Sequence, residues 1–544
     1  MKRSLLGLWK MSSLVCLALA IGCSTGQNQP PPAESHPAAA APFDLEETTI
    51  ATLLNDQESG RRTARSIVEQ YLARIEAIDR SGPTLRSVLE VNPEALAIAD
   101  ALDAERKTKG PRGPLHGVPI LIKDNIDTAD RMTTSAGSLA LEGSIAARDA
   151  FIVERMRAAG AIVLGKTNMS EWANLRGTHS TSGWSGRGGL VRNPYALDRN
   201  ACGSSSGTGA AVAANLGAVG VGTETDGSIL CPSSIGALVG IKPTVGLLSR
   251  SGIIPISSTQ DTAGPMARTV EDAAILLQAL AGSDPRDPAT VNPRRRQEEY
   301  HAAFDVNGLQ GARIGVPRAK FFGYSDGADA IANAAIARLK ELGAVIVDPA
   351  DIPNAGTFDD DEMEVMLYEY KVGLNSYLGA LGPSAKVHSL DDVIAFNEAN
   401  RSRELPFFNQ EYLLRAQKKG PLTDKAYRDA LAKNTRLSRK DGIDAVMDRL
   451  HLDALVAPTV GPAWLTDLVT GDTVAGGSTG PAAVAGYPSI TVPAGDVFGL
   501  PVGLSFFGRA WSEALLIKLA YAYEQGTKHR HPPTFPPTVA LNAR

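Results

Sequence analysis

Three stretches of this 544-residue chain carry side chains able to do chemistry. GPLHGVPILIKDNID (Gly113 to Asp127) sets Lys123 at the end of a continuous apolar run, ACGSSSGTGAAVA (Ala201 to Ala213) puts three serines in a glycine-flanked turn, and GTETDGSILCPSS (Gly222 to Ser234) presents Ser228 just after a glycine. A serine nucleophile needs a group to take its proton, yet no histidine occurs between His179 and His301. A lysine closing a buried strand is the alternative base, because an ammonium out of water costs free energy unless it is paired, and burial therefore favours the neutral amine. Lysine, serine cluster and second serine together supply base, relay and nucleophile. Singly, each has a plainer reading: a Lys123–Asp124 or Lys123–Asp127 ion pair, a flexible serine loop, a glycine turn.

Other chemistries find little support. There is no metal-ligand spacing, phosphate loop or dinucleotide fingerprint, so no metal and no cofactor is expected. His116, in GPLHGVP, reads as a turn residue. In RGTHSTSGWSGRGG (Arg176 to Gly189), His179 reads as a structural histidine, while Trp184 and Arg187 are candidates to line a substrate mouth. A net charge of -5 over this length leaves no basic footprint for nucleic acid and points to a small or peptide-like partner. Of four cysteines, only Cys202 and Cys231 fall in the body of the chain, flanking the two serine stretches. They could pair or remain small buried thiols, and thiols are the commoner outcome.

The elements that must position these residues alternate between strand and helix. Helical spacing runs from Thr63 to Asp79, and a second helix starts at Asn92-Pro93 and continues to Lys107. The buried strand VPILI follows, then a helix over Asp149 to Ala159 and the strand AIVLG (Ala161 to Gly165). Further α/β elements are RIGVP (Arg313 to Pro317), a helix near Asp329 to Leu342 and AVIVD (Ala344 to Asp348). From Asp359 to Leu450 the pattern is almost wholly helical, with Met363, Met366, Leu367 and Tyr370 on one face, and predicts a helical insertion covering the sheet. Strands return at LDALVAP (Leu452 to Pro458), SITVPAG (Ser489 to Gly495) and VGLSFFG (Val502 to Gly508), before a helix from Ser512 to Glu524.

The N-terminus reads as an export signal over residues 1–22, with Lys2, Arg3 and Lys10 ahead of an apolar run too short to span a bilayer. LAIGC (Leu19 to Cys23) resembles a lipoprotein box, so acylation of Cys23 and ordinary cleavage nearby are the two readings. Residues 23–42, rich in Pro and Ala, form a tether with almost nothing to bury. The expected location is outside the bacterial cytoplasm, in the periplasm, with the outer membrane as the destination if Cys23 is acylated.

On these motifs the chain resembles the amidase signature family, within it most nearly the bacterial peptide amidases. The family's G-G-S-S-G-G appears as Cys202-Gly203-Ser204-Ser205-Ser206-Gly207 and its G-T-D-T-G-G-S as Gly222 to Ser228, with a spacing of 24 positions from Ser204 to Ser228. GLPVGLSFFG (Gly499 to Gly508) and YAYEQ (Tyr521 to Gln525) resemble its C-terminal signature. The resemblance implies an α/β amidase signature fold over 43–544, one large domain with a central mixed sheet flanked by helices on both faces and a signature core at about 113–260. It implies Ser228 as acyl-accepting nucleophile, Ser204 as relay on a cis peptide bond and Lys123 as base. Backbone N–H groups of Thr225, Asp226, Gly227 and Ser228 would hold the oxyanion. The activity it implies is hydrolysis of unsubstituted carboxamides, peptide C-terminal amides above all, without a cofactor; the oligomeric state is left open, with a monomer favoured. The alternatives are a broad aryl or aliphatic amidase or esterase, an inactive amide-binding lipoprotein, and the glutamyl-tRNA amidotransferase component that carries the same signature. Cys202, Ser206 and Asp226 replace glycines of the general pattern. Asp226 is therefore also a candidate for substrate selection.

Overall fold

The computed structural model describes residues 43–292 and 299–541; the export segment, the tether and Cys23 lie outside the described residues. Eleven strands form one sheet: β1 (Val88–Val91), β2 (Pro119–Lys123), β3 (Ile162–Thr167), β4 (Val219–Glu224), β5 (Val239–Lys242), β6 (Thr262–Ala267), β7 (Arg313–Gly315), β8 (Val345–Val347), β9 (Ala454–Pro458), β10 (Ser489–Val497) and β11 (Leu500–Phe507). Their spatial order is β1-β3-β2-β4-β6-β5-β10-β11-β9-β7-β8. The sheet is mixed, β2 being parallel to both β3 and β4 while β4 runs antiparallel to β6. Helices flank it, giving a single large α/β domain.

The middle of this sheet is built for close approach. VPILI has no polar side chain because β2 is buried along its whole length, with neighbours on both edges. In β4, VGVGTE, the glycines make room for the helix above: a Cβ on Gly220 would lie 2.5 Å from Thr208 Cγ2, and one on Gly222 2.8 Å from Ser205 Oγ. That helix, α1 (Ser206–Ala213), is made of small residues, all buried, and so sits tightly on β4. Parallel pairing of β2 with β4, with Ile122 opposite Val221, brings Lys123 and Thr223 to the same end of the sheet. A short helix, α2 (Leu230–Ile235), follows the β4 turn.

Between 359 and 450 every regular element is helical. The longest, α3 (Asp359–Gly379), starts with Asp359, Asp360, Asp361 and Glu362, acidic groups that favour the positive end of the helix dipole. Leu367, Tyr370 and Leu374 bury one face of α3 in a cluster with Met169 and Trp172 from the loops over the sheet.

Candidate active site

Lys123, Ser204 and Ser228 converge at the β2/β4 end of the sheet. Lys123 Nζ lies 2.8 Å from Ser204 Oγ and donates to Thr223 O at 3.1 Å and Thr223 Oγ1 at 2.9 Å. No ion pair with Asp124 or Asp127 forms. Asp124 instead accepts from Ser135 and from the Gly137 N–H, and Asp127 accepts from the Tyr377 hydroxyl. Fully buried, Lys123 has its pKa lowered by desolvation to about 7, against the pull of the Asp261 and Glu224 carboxylates. Thr223, which supplies two of its three contacts, is not singled out by the motifs; it stands one residue from the end of a glycine-rich strand without the usual strand pattern.

The two serine segments are tied together directly. The Gly203–Ser204 peptide bond is cis. Ser205 N–H donates to Ser228 O at 3.2 Å, and its hydroxyl donates to Thr223 O at 3.1 Å. Beyond Ser228, Glu224 Oε2 accepts the N–H groups of Ile229 and Leu230 at 2.7 and 2.9 Å, capping the start of α2 and fixing the turn that carries the serine. Gly227 has φ of 75°, a left-handed conformation in which glycine is strain-free. The sequence GTETDGS thus reads as strand end, cap and turn in seven residues.

Ser228, almost buried, opens onto a cavity of about 360 Å³ whose walls include Thr225, Asp226, Ile256, Met363, Met366 and Tyr412. The two methionines belong to α3, so the helical insertion forms one wall of the site. Asp226 also faces a second cavity of about 730 Å³, shared with Glu362 and Trp464. Burial raises the Asp226 carboxyl above the ordinary carboxylate range, opposed by a Thr479 hydrogen bond and by Lys242, and its Oδ1 has no hydrogen-bond partner. Glu362 is pushed well up by burial and by the Asp226 charge.

Two expectations are corrected. Trp184, placed by sequence at a substrate mouth, is buried edge-on against Phe407 and Phe408, with the Arg176 guanidinium 5.0 Å from its ring centre. Arg187 pairs with Glu90 at 2.6 Å and Asp124 at 3.5 Å. Both are consumed in packing, since an aromatic and a cation in a glycine-rich loop find partners from distant segments that spacing does not reveal. Cys202 and Cys231, for which thiols were the commoner expectation, form a disulfide with Cα atoms 6.1 Å apart. His116 is a turn residue, its Nδ1 accepting from Arg112 N–H at 3.2 Å and its Nε2 3.0 Å from Leu102 O.

Residues 66–517 match the family model described as Amidase. The chain is 42% identical over 503 residues to a probable amidase of Arabidopsis thaliana, covering 91% of this chain and 92% of the relative. Over 533 residues it is 36% identical to a putative amidase of Schizosaccharomyces pombe, covering 92% and 88% respectively. The crystal structure of native peptide amidase from Stenotrophomonas maltophilia superimposes with a TM-score of 0.87 at 51% identity, covering 91% of this chain and all of that one.

Proposed function

The chain belongs to the amidase family, and from that premise we propose that it hydrolyses the C-terminal carboxamide of peptides, releasing the free acid and ammonia. The observation that carries the mechanism is the environment of Lys123. A neutral amine has two N–H donors and one lone pair. Donation to Thr223 O, which can only accept, and to Thr223 Oγ1 uses both donors of a neutral Lys123 and leaves its lone pair for the Ser204 hydroxyl, 2.8 Å away. Lys123 then takes the Ser204 proton as Ser204 takes that of Ser228, and Ser228 attacks the amide carbonyl. Backbone N–H groups from Thr225 to Ser228 stabilise the oxyanion, each well-placed donor being worth about 3 kcal/mol. The relay returns a proton to the departing ammonia, and water releases the acid.

The peptide-amide assignment within the family is supported by the close structural likeness to a peptide amidase and by a cavity of mixed character, in which Met363, Met366 and Tyr412 offer an adaptable surface to a peptide side chain beside polar groups such as Asn174, His179 and Asp472. Asp226 lines the same cavity as Ser228, which makes its carboxylate a candidate acceptor for a substrate –NH2 group. The deciding experiment is ammonia release from a C-terminally amidated dipeptide set against a simple aromatic amide, with Ser228→Ala as control. Preference for the aromatic amide would reassign the substrate class. The location proposed with this activity is the periplasm, with Cys23 as lipid anchor; metabolic labelling with palmitate, lost in Cys23→Ala, checks it.

A further inference from the structure

We propose that the Cys202–Cys231 disulfide is a positioning cross-link for the reaction, and that its reduction by a dithiol lowers turnover while leaving substrate binding nearly intact. The inference rests on the roles of Ser204 and Ser228 given above. Cys202 lies two residues before Ser204, and Cys231 lies three after Ser228 in α2. Although 29 residues apart in sequence, they join the relay loop covalently to the nucleophile turn. On its other flank, Ser204 is held through Ser205, which donates to Ser228 O at 3.2 Å and exchanges hydrogen bonds with Thr223 at 3.1 and 3.2 Å.

The relay serine therefore sits between two ties to the same turn, hydrogen bonds on one side and a sulfur bond on the other. The hydrogen bonds of Cys202 stay within its own loop, its N–H donating to Asn200 Oδ1 at 2.7 Å and its carbonyl accepting from Ser206 Oγ at 2.5 Å, while its side chain joins an apolar cluster with Ile235, Val460 and Trp464. Without the sulfur bond, the Cys202 flank meets the turn through non-directional packing alone, and Ser204 depends on the Ser205 hydrogen bonds for its place relative to Ser228. Proton transfer through a hydroxyl is steeply sensitive to that placement, since misplacement by about 1 Å can cost around a hundredfold. Binding depends mainly on other walls, among them Ile256, Met363, Met366 and Tyr412.

Both cysteines border the 730 Å³ cavity, so a small dithiol can reach them. A thiolate of the dithiol attacks one sulfur, the Cys202–Cys231 bond breaks, and the second thiol resolves the mixed disulfide. Two electrons and two protons pass to the cysteines, and the reductant leaves as its own disulfide.

The test measures kcat and KM for ammonia release from an amidated dipeptide. The native enzyme is assayed with and without dithiothreitol, beside Cys202→Ala/Cys231→Ala and Cys202→Ser/Cys231→Ser double variants, with circular dichroism and free-thiol titration on each. The expected result is a kcat at least fivefold lower in the reduced enzyme and in both double variants, and a KM within threefold. Dithiothreitol should have no effect on the variants, and reoxidation of the native enzyme should restore kcat. A smaller fall in kcat, or a loss carried by KM alone, overturns the proposal. If the variants do not fold, the reduced native enzyme, with two more titratable thiols than the oxidised one, decides. Turnover surviving in Ser228→Ala would instead overturn the assignment on which the inference rests, whereas an inert Ser228→Ala beside a reduced enzyme at full kcat removes the positioning role alone.

Discussion

Two lysines on adjacent strands of the sheet, Lys123 on β2 and Lys166 on β3, are both fully buried, yet their surroundings suit them to opposite tasks. Lys166 donates to Ile126 O at 2.6 Å and to Thr134 Oγ1 at 2.9 Å, and four carboxylates, Asp124, Asp127, Asp130 and Glu90, act on it to favour the charged form. Around Lys123 only Asp261 and Glu224 do so, and its direct contacts are hydroxyls and a carbonyl. Burial penalises both ammonium groups; the number of nearby carboxylates separates them. One lysine ties the 126–134 loop to the sheet amid carboxylates that counter its burial, and the other, with fewer of them, has its pKa lowered to about 7.

The sharpest way to break this contrast is to remove Ser228, the proposed nucleophile. Ser228→Ala should leave no acyl-enzyme detectable by mass spectrometry and turnover at background. Next in size, Lys123→Met should lower kcat by about 10² to 10⁴-fold with the melting temperature nearly unchanged; a variant keeping a tenth of native turnover would contradict the base assignment. Lys166→Met should do the reverse. It leaves the buried Ile126 carbonyl and Thr134 hydroxyl without their donor, at a cost of about 1–3 kcal/mol, read as a lower denaturation midpoint, while the folded fraction retains kcat within a few fold.

The pH profile comes next. Lys123 must be neutral to act, so kcat/KM should rise as pH increases through about 7 and fall away below it, where the ammonium forms. Asp261 raises the Lys123 pKa, so Asp261→Asn should move that limb to lower pH. A limb that stays in place would remove Asp261 from the electrostatics of the site. The smallest expected effect is at Asp226→Asn, which should change the ratio of amide to ester hydrolysis by a few fold, measured with a matched amide and ester pair; an unchanged ratio would exclude a substrate role.

Much of the site was legible because its motifs are local. Lys123 ends an unbroken apolar run, and Ser204 and Ser228 stand in glycine turns whose composition admits few other conformations. The strand at 119–123, the helical stretch at 359–450 and the closing strands followed from hydrophobic pattern. The strands at 219–224, 239–242 and 262–267 did not, because their glycines answer to the close approach of α1 and of neighbouring strands rather than to alternation of β-branched side chains. Trp184 and Arg187 misled for a related reason: their partners, Phe407, Phe408 and Glu90, are remote in the chain. The methionines of α3 were placed on one helix face, but that they wall the nucleophile cavity depends on how the helical segment lies over the sheet.

Sequence by itself determined which groups are present and the local geometry that presents them: a lysine at a strand end, serines in two glycine turns, and a carboxylate where the family pattern has glycine. Only the tertiary structure decided that Lys123 meets Thr223 rather than Asp124 or Asp127, that Cys202 finds Cys231, and that Asp226 keeps an unpartnered oxygen between two cavities. Protonation, pairing and access depend on distance and on the exclusion of water, and both are set through space by segments that the chain order keeps apart.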